Sequence, residues 1–257
     1  SGEKVFATLD LRAGFHQIPL EAAARHLTAF STPDGLFEYC RVPFGLKNAP
    51  AFFQQAMAAA FAGLLGRCCQ VFMDDIIVFG KDEESFIAHL RAVFQRLRER
   101  RLRLKGAKCR FGLRKVDYLG HTVSEAGVEL SADRKSAVAE VKEPSDVSQL
   151  RAFLGLSNYF RDFIPAYSVI AKPLTRLCSP RVRFSWGGEE RAAFAKIKDA
   201  IVAAPTLAYL DYSREVVLRC DASQVGIGGV LLQRDGTAEH PVCFVSRAFI
   251  DRKTKWS

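Results

Sequence analysis

The sequence predicts an α+β fold, and three observations carry that prediction. Short β-rich runs bounded by turn residues alternate with amphipathic stretches over the first half, and helical spacing dominates the middle. From Glu215 onward, three β-rich runs succeed one another with no helix between them. The makeup agrees: 49% hydrophobic and 25% charged residues over 257 positions describe a globular protein with room for one large or two modest domains. Disorder, collagen and coiled coil are excluded. The longest nearly continuous apolar run, AMAAAFAGLLG at residues 56–66, is well short of the ~20 residues that cross a bilayer, so no membrane partner is expected.

Taken in order, VFATLDL at residues 5–11 alternates and reads as a strand. Gly14 and Pro19 punctuate the next stretch, and a second strand is expected at residues 36–42, LFEYCRV, after the turn residues STPDG. Asn48 as N-cap and Pro50 in the first turn open a helix. In it Phe52, Phe53, Ala56, Met57, Ala60, Phe61, Leu64 and Leu65 repeat at helical spacing as far as Gly66. In VFMDDIIVF, residues 71–79, two β-rich runs flank Asp74 and Asp75, which suits a hairpin with both carboxylates at its tip. A helix over residues 83–101 starts after Asp82 with acids in its first turn and ends among arginines, as the helix dipole favours. Residues 116–130, VDYLGHTVSEAGVEL, read as a pair of strands turning at residues 125–127. Helices are expected at 132–141 and 146–163, then an irregular Pro-bearing connection at 165–186, then a helix at 189–203 with Phe194, Ile197 and Ile201 on one face. The β-rich runs after Glu215 lack compensating helices and read as an unfinished second domain.

The opening SGEKVFATLD has no basic segment followed by an apolar core and no initiator Met. No secretion signal is expected, and the chain reads as a stretch of something longer. Seven Cys (40, 68, 69, 109, 178, 220 and 243) form no CxxC pair and no zinc spacing with His, so reduced, mostly buried thiols in an intracellular compartment are expected. The net charge of +9 is concentrated. From Arg91 to Lys115 eleven Lys or Arg stand against the single acid Glu99, which leaves the rest of the chain near neutrality. Such a stripe is either a solvated face or the footprint of a protein that binds phosphate backbones.

The carboxylates decide between these. Adjacent acids at a tight turn repel and gain nothing for the fold; a plain exposed turn is the alternative if the pair stands alone. Asp10, however, closes the first strand. In an antiparallel sheet that end can lie beside a neighbouring hairpin's tip, bringing three carboxylates together. Oxygen ligands of this kind select hard cations such as Mg²⁺. Two such ions ~4 Å apart clamp the attacking and leaving oxygens in phosphoryl transfer. No Ser-His or Cys-His nucleophile competes with this reading.

The segments FATLDLRAGFHQIPL, TAFSTPDGLFEYCRVPFGLKNAPAFFQ, VFMDDIIVF, DYLGH and LRAFLGLSNYFRDFI, in this order, are similar to the reverse transcriptases of gypsy-type long-terminal-repeat retrotransposons and retroviruses. The resemblance implies a polymerase palm of antiparallel sheet and helices at residues 1–122 with the fingers largely missing. It implies a helical thumb and connection at 123–205 and the first part of a ribonuclease H-like β-rich domain at 206–257. The implied function is RNA-directed DNA polymerisation on an RNA or DNA template with a primer, consuming deoxynucleoside triphosphates with two Mg²⁺ ions, or Mn²⁺ in their place. By the same resemblance Asp10 and Asp74 are the principal metal ligands and Asp75 a supporting one. Ala13 and Gly14 approach the triphosphate, Phe15 is the gate against a ribose 2′-hydroxyl, or else a core aromatic, and Phe44 and Gly45 lie near the nucleotide. Met73, Tyr118, Leu119 and Gly120, with Lys105 and Lys108 of the basic stripe, are placed near nucleic acid, although a Tyr-Leu-Gly hairpin is often only packing. Phe153, Leu154, Leu156, Tyr159, Phe160 and Phe163 are expected in a core.

Two departures stand out. Phe72 replaces the usual Tyr of the YxDD signature, keeping the ring without its hydroxyl, and by the resemblance most of the fingers' basic residues are expected before the first residue given. At the other end LRCDASQVGIGGVLLQ resembles the start of the retroelement ribonuclease H domain, with Asp221 as its first metal ligand. The second carboxylate would lie past Ser257, so no ribonuclease activity is expected from these residues. The rival class is a non-catalytic nucleic-acid-binding remnant of a retroelement; a metal-dependent phosphodiesterase is a third. Family analogy places the parent in an intracellular, cytoplasmic particle.

Overall fold

The computed structural model describes residues 2–249; the end of the expected ribonuclease H-like region, residues 250–257, lies outside them. The chain divides into two compact units, Gly2–Tyr118 and the residues from 119 onward.

The N-terminal unit contains β1 (Val5–Asp10), β2 (Phe30–Thr32), β3 (Gly35–Phe37), α1 (Ala49–Ala60), β4 (Cys69–Phe72), β5 (Asp75–Gly80), α2 (Glu83–Glu99), β6 (Arg110–Leu113) and β7 (Lys115–Tyr118). Four strands form an antiparallel sheet in the order β4-β5-β1-β6. Because side chains alternate along a strand, Val5, Ala7 and Leu9 of β1 share one face with Ile76 and Val78 of β5 and Val71 of β4. That face packs on Phe53 and Met57 of α1, the adjoining Phe61, and Phe86, Val93 and Leu97 of α2. Burying each of the larger of these side chains is worth ~1.5–3 kcal/mol. The opposite face is left for Asp10 and Asp75.

Local signals set the helix ends unevenly. At α2 the Asp82 carboxylate accepts the Ser85 N–H at 2.7 Å while Ser85 Oγ accepts the Asp82 N–H at 3.2 Å, a reciprocal cap that also holds the Asp82 carboxyl below the usual range. The expected cap at Asn48 is corrected: its backbone is already helical and its side chain makes no cap bond, although Pro50 stands in the first turn. The helix also stops at Ala60 rather than Gly66. Residues 61–68 instead make turns that feed β4, with Phe61 wholly buried.

The strand expected at residues 36–42 is extended only over Gly35–Phe37. The TPDG turn closes a local hairpin there, Phe30↔Phe37 and Thr32↔Gly35, and leaves residues 38–42 outside it apart from a bridge between Arg41 and Pro19. Strand β6 was not expected: RFGL has no alternation, and it is recruited by the open edge of β1. The expected run 116–124 breaks at Leu119 and Gly120, whose φ values of 53° and 82° end β7.

In the second unit β8 (His121–Ser124) and β9 (Gly127–Leu130) form a hairpin. After them come α3 (Ala132–Ala139), α4 (Val147–Tyr159), α5 (Tyr167–Ile170), α6 (Lys172–Leu177) and α7 (Gly188–Val202), then the antiparallel meander β10 (Val216–Ala222), β11 (Gly226–Asp235) and β12 (Ala238–Ala248). Leu150, Phe153, Phe160, Phe163, Leu174, Phe194 and Ile197 share one core, with Leu154 and Leu156 packed against it, while Tyr159 is exposed. The connection at 165–186, expected to be irregular, holds α5 and α6. Pro173 is tolerated in the first turn of α6, and burial of Tyr167, Leu174 and Leu177 outweighs the turn signals. Of the thiols only Cys68 and Cys69 are buried; Cys40 and Cys220 are exposed, contrary to a mostly buried set. No helix among the described residues is long and apolar enough to cross a membrane.

Candidate active site

The register of one strand pair builds the site. In the β1–β5 ladder Leu9 pairs with Ile76 and Asp10 with Asp75, so two carboxylates stand directly opposite each other on the face turned away from the core. Like charges so placed are destabilising. Met73 and Asp74 form the two-residue loop between β4 and β5; Met73 takes φ of 54°, unfavourable for a residue with a side chain.

That loop is held from three sides. Gln54, on α1, accepts the Met73 N–H at 2.7 Å and donates to Val71 O at 3.2 Å. Leu11 N–H donates to Asp74 O at 3.0 Å, and the half-buried Tyr118 hydroxyl donates to Asp75 O at 3.3 Å. Burial and the neighbouring Asp75 push the Tyr118 phenol well above its usual value, so it keeps the proton it donates. Gln54 went unnoticed in the sequence, where it is one polar residue in a helical pattern with no periodic signal.

The Asp10 carboxylate has a cationic partner that the sequence also did not reveal. Lys108 Nζ lies 2.9 Å from Asp10 Oδ2. Asp75 carries the cost of crowding: its carboxyl is raised above the usual range, first by burial, then by Asp74 and Asp10, with Lys108 opposing. A carboxyl whose folded pKa exceeds its unfolded one contributes stability that is present below the unfolded pKa and lost as pH rises through the folded value. Asp75→Asn is therefore expected to melt a few degrees above the unsubstituted protein at about pH 7.5. The advantage should vanish near about pH 2.5, well below the ordinary aspartate pKa, where the carboxyl is neutral in both states. Equal melting temperatures at both pH values would refute this.

Of the other predicted residues, Gly14 lies directly against the carboxylate tip. Ala13, with φ of 48°, precedes a single 3-10 turn at Gly14–Gln17. A Cβ at Gly14 would sit 2.8 Å from Phe53 Cζ and 3.2 Å from Asp74 Cβ, so only glycine lets this backbone lie against the hairpin tip. The Phe15 ring lies 5.0 Å from that of Phe53 and 5.4 Å from that of Phe44, joining the core edge to an exposed aromatic. Gly45 comes after Phe44 at φ of 90°. Gln17 bridges to the segment after α2, donating to Arg12 O and Arg103 O and accepting the Arg103 N–H.

The basic stripe divides in the structure. The half-buried Arg96 donates to Ala60 O at 2.7 Å and Ala62 O at 3.0 Å, satisfying carbonyls at the end of α1, and Arg114 pairs with Glu83. Lys105 is exposed, and its backbone N–H donates to Asp10 O at 2.8 Å. Leu119, Gly120 and Asp221 belong to the second unit, with Asp221 exposed on β10 opposite Gly228.

Among the described residues no three His, Cys, Asp or Glu side chains form a group close enough to hold a metal ion. The donor chemistry suits a hard cation all the same. All three donors are carboxylates, burial and then their mutual repulsion raise Asp75, and one ammonium already sits on Asp10.

Comparison with known proteins adds three findings. Residues 1–123 match the family described as reverse transcriptase (RNA-dependent DNA polymerase), and residues 186–257 match the RNase H-like domain found in reverse transcriptase. The retrovirus-related Pol polyproteins from transposon 297 and transposon gypsy of Drosophila melanogaster are 38% and 34% identical, over 98% and 95% of this chain and 24% of each of those proteins. The chain thus spans about a quarter of the length of the curated relatives it matches. A solved foamy viral protease-reverse transcriptase in complex with double-stranded DNA superposes with a TM-score of 0.87 at 25% identity, covering 98% of this chain and 44% of that one.

Proposed function

We infer, because the chain belongs to the reverse transcriptase family of retrotransposon Pol polyproteins, that it is the palm-to-ribonuclease H portion of an RNA-directed DNA polymerase. The family uses divalent metals. The observation that carries the reading is the Asp10–Asp75 register with Asp74 at the adjoining tip, which gathers the carboxylates at one end of the sheet.

Asp10, Asp74 and Asp75 would hold two Mg²⁺ ions, or Mn²⁺ in their place. When bound, these supply Lewis-acid stabilisation of the primer's attacking 3′-oxygen and of the departing pyrophosphate. The chain's own residues do the positioning. Gln54 and Tyr118 fix the loop that carries Asp74, Ala13 and Gly14 present backbone to the triphosphate of a deoxynucleotide, and Phe44 and Gly45 border it. Met73, Tyr118, Leu119, Gly120 and Lys105 would contact the primer and an RNA or DNA template. In this reading residues 1–122 are palm, 123–205 thumb and connection, and 206–257 ribonuclease H-like, with Asp221 as a metal ligand there. The parent protein would act in an intracellular particle.

Phe15 is the proposed sugar gate, its ring backed by Phe53 and so unable to retreat. Phe15→Ala should lower discrimination against ribonucleotides by roughly 10- to 200-fold, the scale of one steric contact in a pocket. This is measured as the ratio of kcat/KM values for the two sugars; an unchanged ratio makes Phe15 a packing residue only. The reading as a whole is tested by extension of a primed RNA template with Mg²⁺ and four deoxynucleotides. Nucleic-acid binding without aspartate-dependent extension, in this chain and in one lengthened at its N-terminus, would favour the non-catalytic remnant.

A further inference from the structure

We propose that Lys108 is the built-in counter-ion of the Asp10 carboxylate, which a divalent cation must displace, so that loading this site is an exchange of cations and not a simple addition. The inference rests on the reading of Asp10, Asp74 and Asp75 as a cation site.

The ion pair is aimed by the backbone. After α2 the chain returns antiparallel to the end of β1, through a bridge between Leu11 and Leu104, an Arg12 N–H to Arg103 O bond of 2.9 Å and a Lys105 N–H to Asp10 O bond of 2.8 Å. A single 3-10 turn over Gly106–Lys108 then brings the lysine round, with Lys108 N–H donating to Lys105 O at 2.9 Å. The element that carries the ammonium is thus tied to the residue that receives it.

The two partners are unequal. The Asp10 side chain is 16% exposed and that of Lys108 56% exposed. The carboxylate is fixed at the end of a packed strand and faces Asp75 across the ladder, with Asp74 adjoining, so it needs a positive neighbour. The lysine is a flexible stem in solvent and can leave without uncovering any core. A charge-assisted contact of 2.9 Å therefore offsets the charge of Asp10 alone among the three carboxylates, and gives way to a doubly charged ion that more than one carboxylate can bind.

The test measures Mn²⁺ binding by electron paramagnetic resonance, with no nucleotide or nucleic acid present. It compares the unsubstituted chain with Lys108→Met, Lys108→Gln, Lys108→Arg and Asp74→Asn, each checked for folding by circular dichroism. Removing the competing ammonium should raise Mn²⁺ affinity roughly 3- to 10-fold in the Met and Gln variants, while Lys108→Arg stays near the unsubstituted value. Equal affinity in all three Lys108 variants and the unsubstituted chain, with Asp74→Asn weakened, would overturn the exchange and leave the cation site standing. Mn²⁺ binding that Asp74→Asn does not weaken would remove the cation site and the exchange with it. An Arg variant as tight as the Met variant would also overturn it, since the effect would then not track charge.

Discussion

Asp74→Asn is expected to lower primer extension by about 10³-fold or more and to leave the fold as it is. The magnitude comes from the several kcal/mol of transition-state charge stabilisation that a correctly held metal ion supplies, each ~1.4 kcal/mol being a factor of ten. The fold is spared for local reasons. The Asp74 side chain is exposed at the hairpin tip, whereas the bonds that hold the loop use backbone atoms: Leu11 N–H to Asp74 O, and the Met73 N–H to Gln54. Removing one of three like charges does not weaken the loop. Single-turnover extension beside a thermal melt separates the two effects. Retained extension would sink the polymerase assignment, and a large drop in melting temperature would mean that the carboxylate is structural.

A large loss of stability is expected from a single added methyl group. Gly80 ends β5 opposite Val5, and its carbonyl accepts the Lys4 N–H at 2.8 Å. A Cβ there would lie 2.5 Å from both Cα and N of Phe86 and 2.7 Å from its Cβ. Two of these three atoms are backbone of the first turn of α2, so no side-chain rotation gives relief. Helix α2 would have to lift from β5, loosening Phe86, Val93 and Leu97 in the core. Gly80→Ala should therefore cost about 3 kcal/mol, the upper part of the range for overpacking. Gly106→Ala, where nothing lies within 4 Å of the added atom, should stay within about 0.5 kcal/mol. Denaturant midpoints test the pair, and equal midpoints would show that the helix yields without cost.

These expectations draw on different depths of information. The alternation of VFATLD, the Asp82 cap followed by acids, and the β-rich flanks of Asp74 and Asp75 are local signals. Each produced the element expected from it: β1, α2 and the β4–β5 hairpin. The meeting of Asp10 with the hairpin tip was also legible, because adjacent antiparallel strands leave few registers that bury Val5, Ala7 and Leu9 on the same face as Ile76 and Val78. Where local signals were weak or contradicted, the reading failed. Asn48 has the right chemistry for a cap but the backbone before α1 is already helical, and Pro165 and Pro173 punctuate a region that still forms α5 and α6.

By itself, then, the sequence determined the α+β class, the order of most elements, the family and the three carboxylates of the N-terminal unit, since all of these are written in periodicity, caps and short motifs. Only the tertiary structure decided which polar groups serve those carboxylates. Gln54 reaches Met73 from another element, Arg96 spends its charge on the end of α1, and Lys108 crosses 98 residues of sequence to Asp10. Each rests on directional bonds between separate segments of the chain, formed because the packed sheet and helices bring donor and acceptor within 3 Å. A bond of that kind leaves no repeating pattern in the sequence, so it becomes visible only once the core has folded.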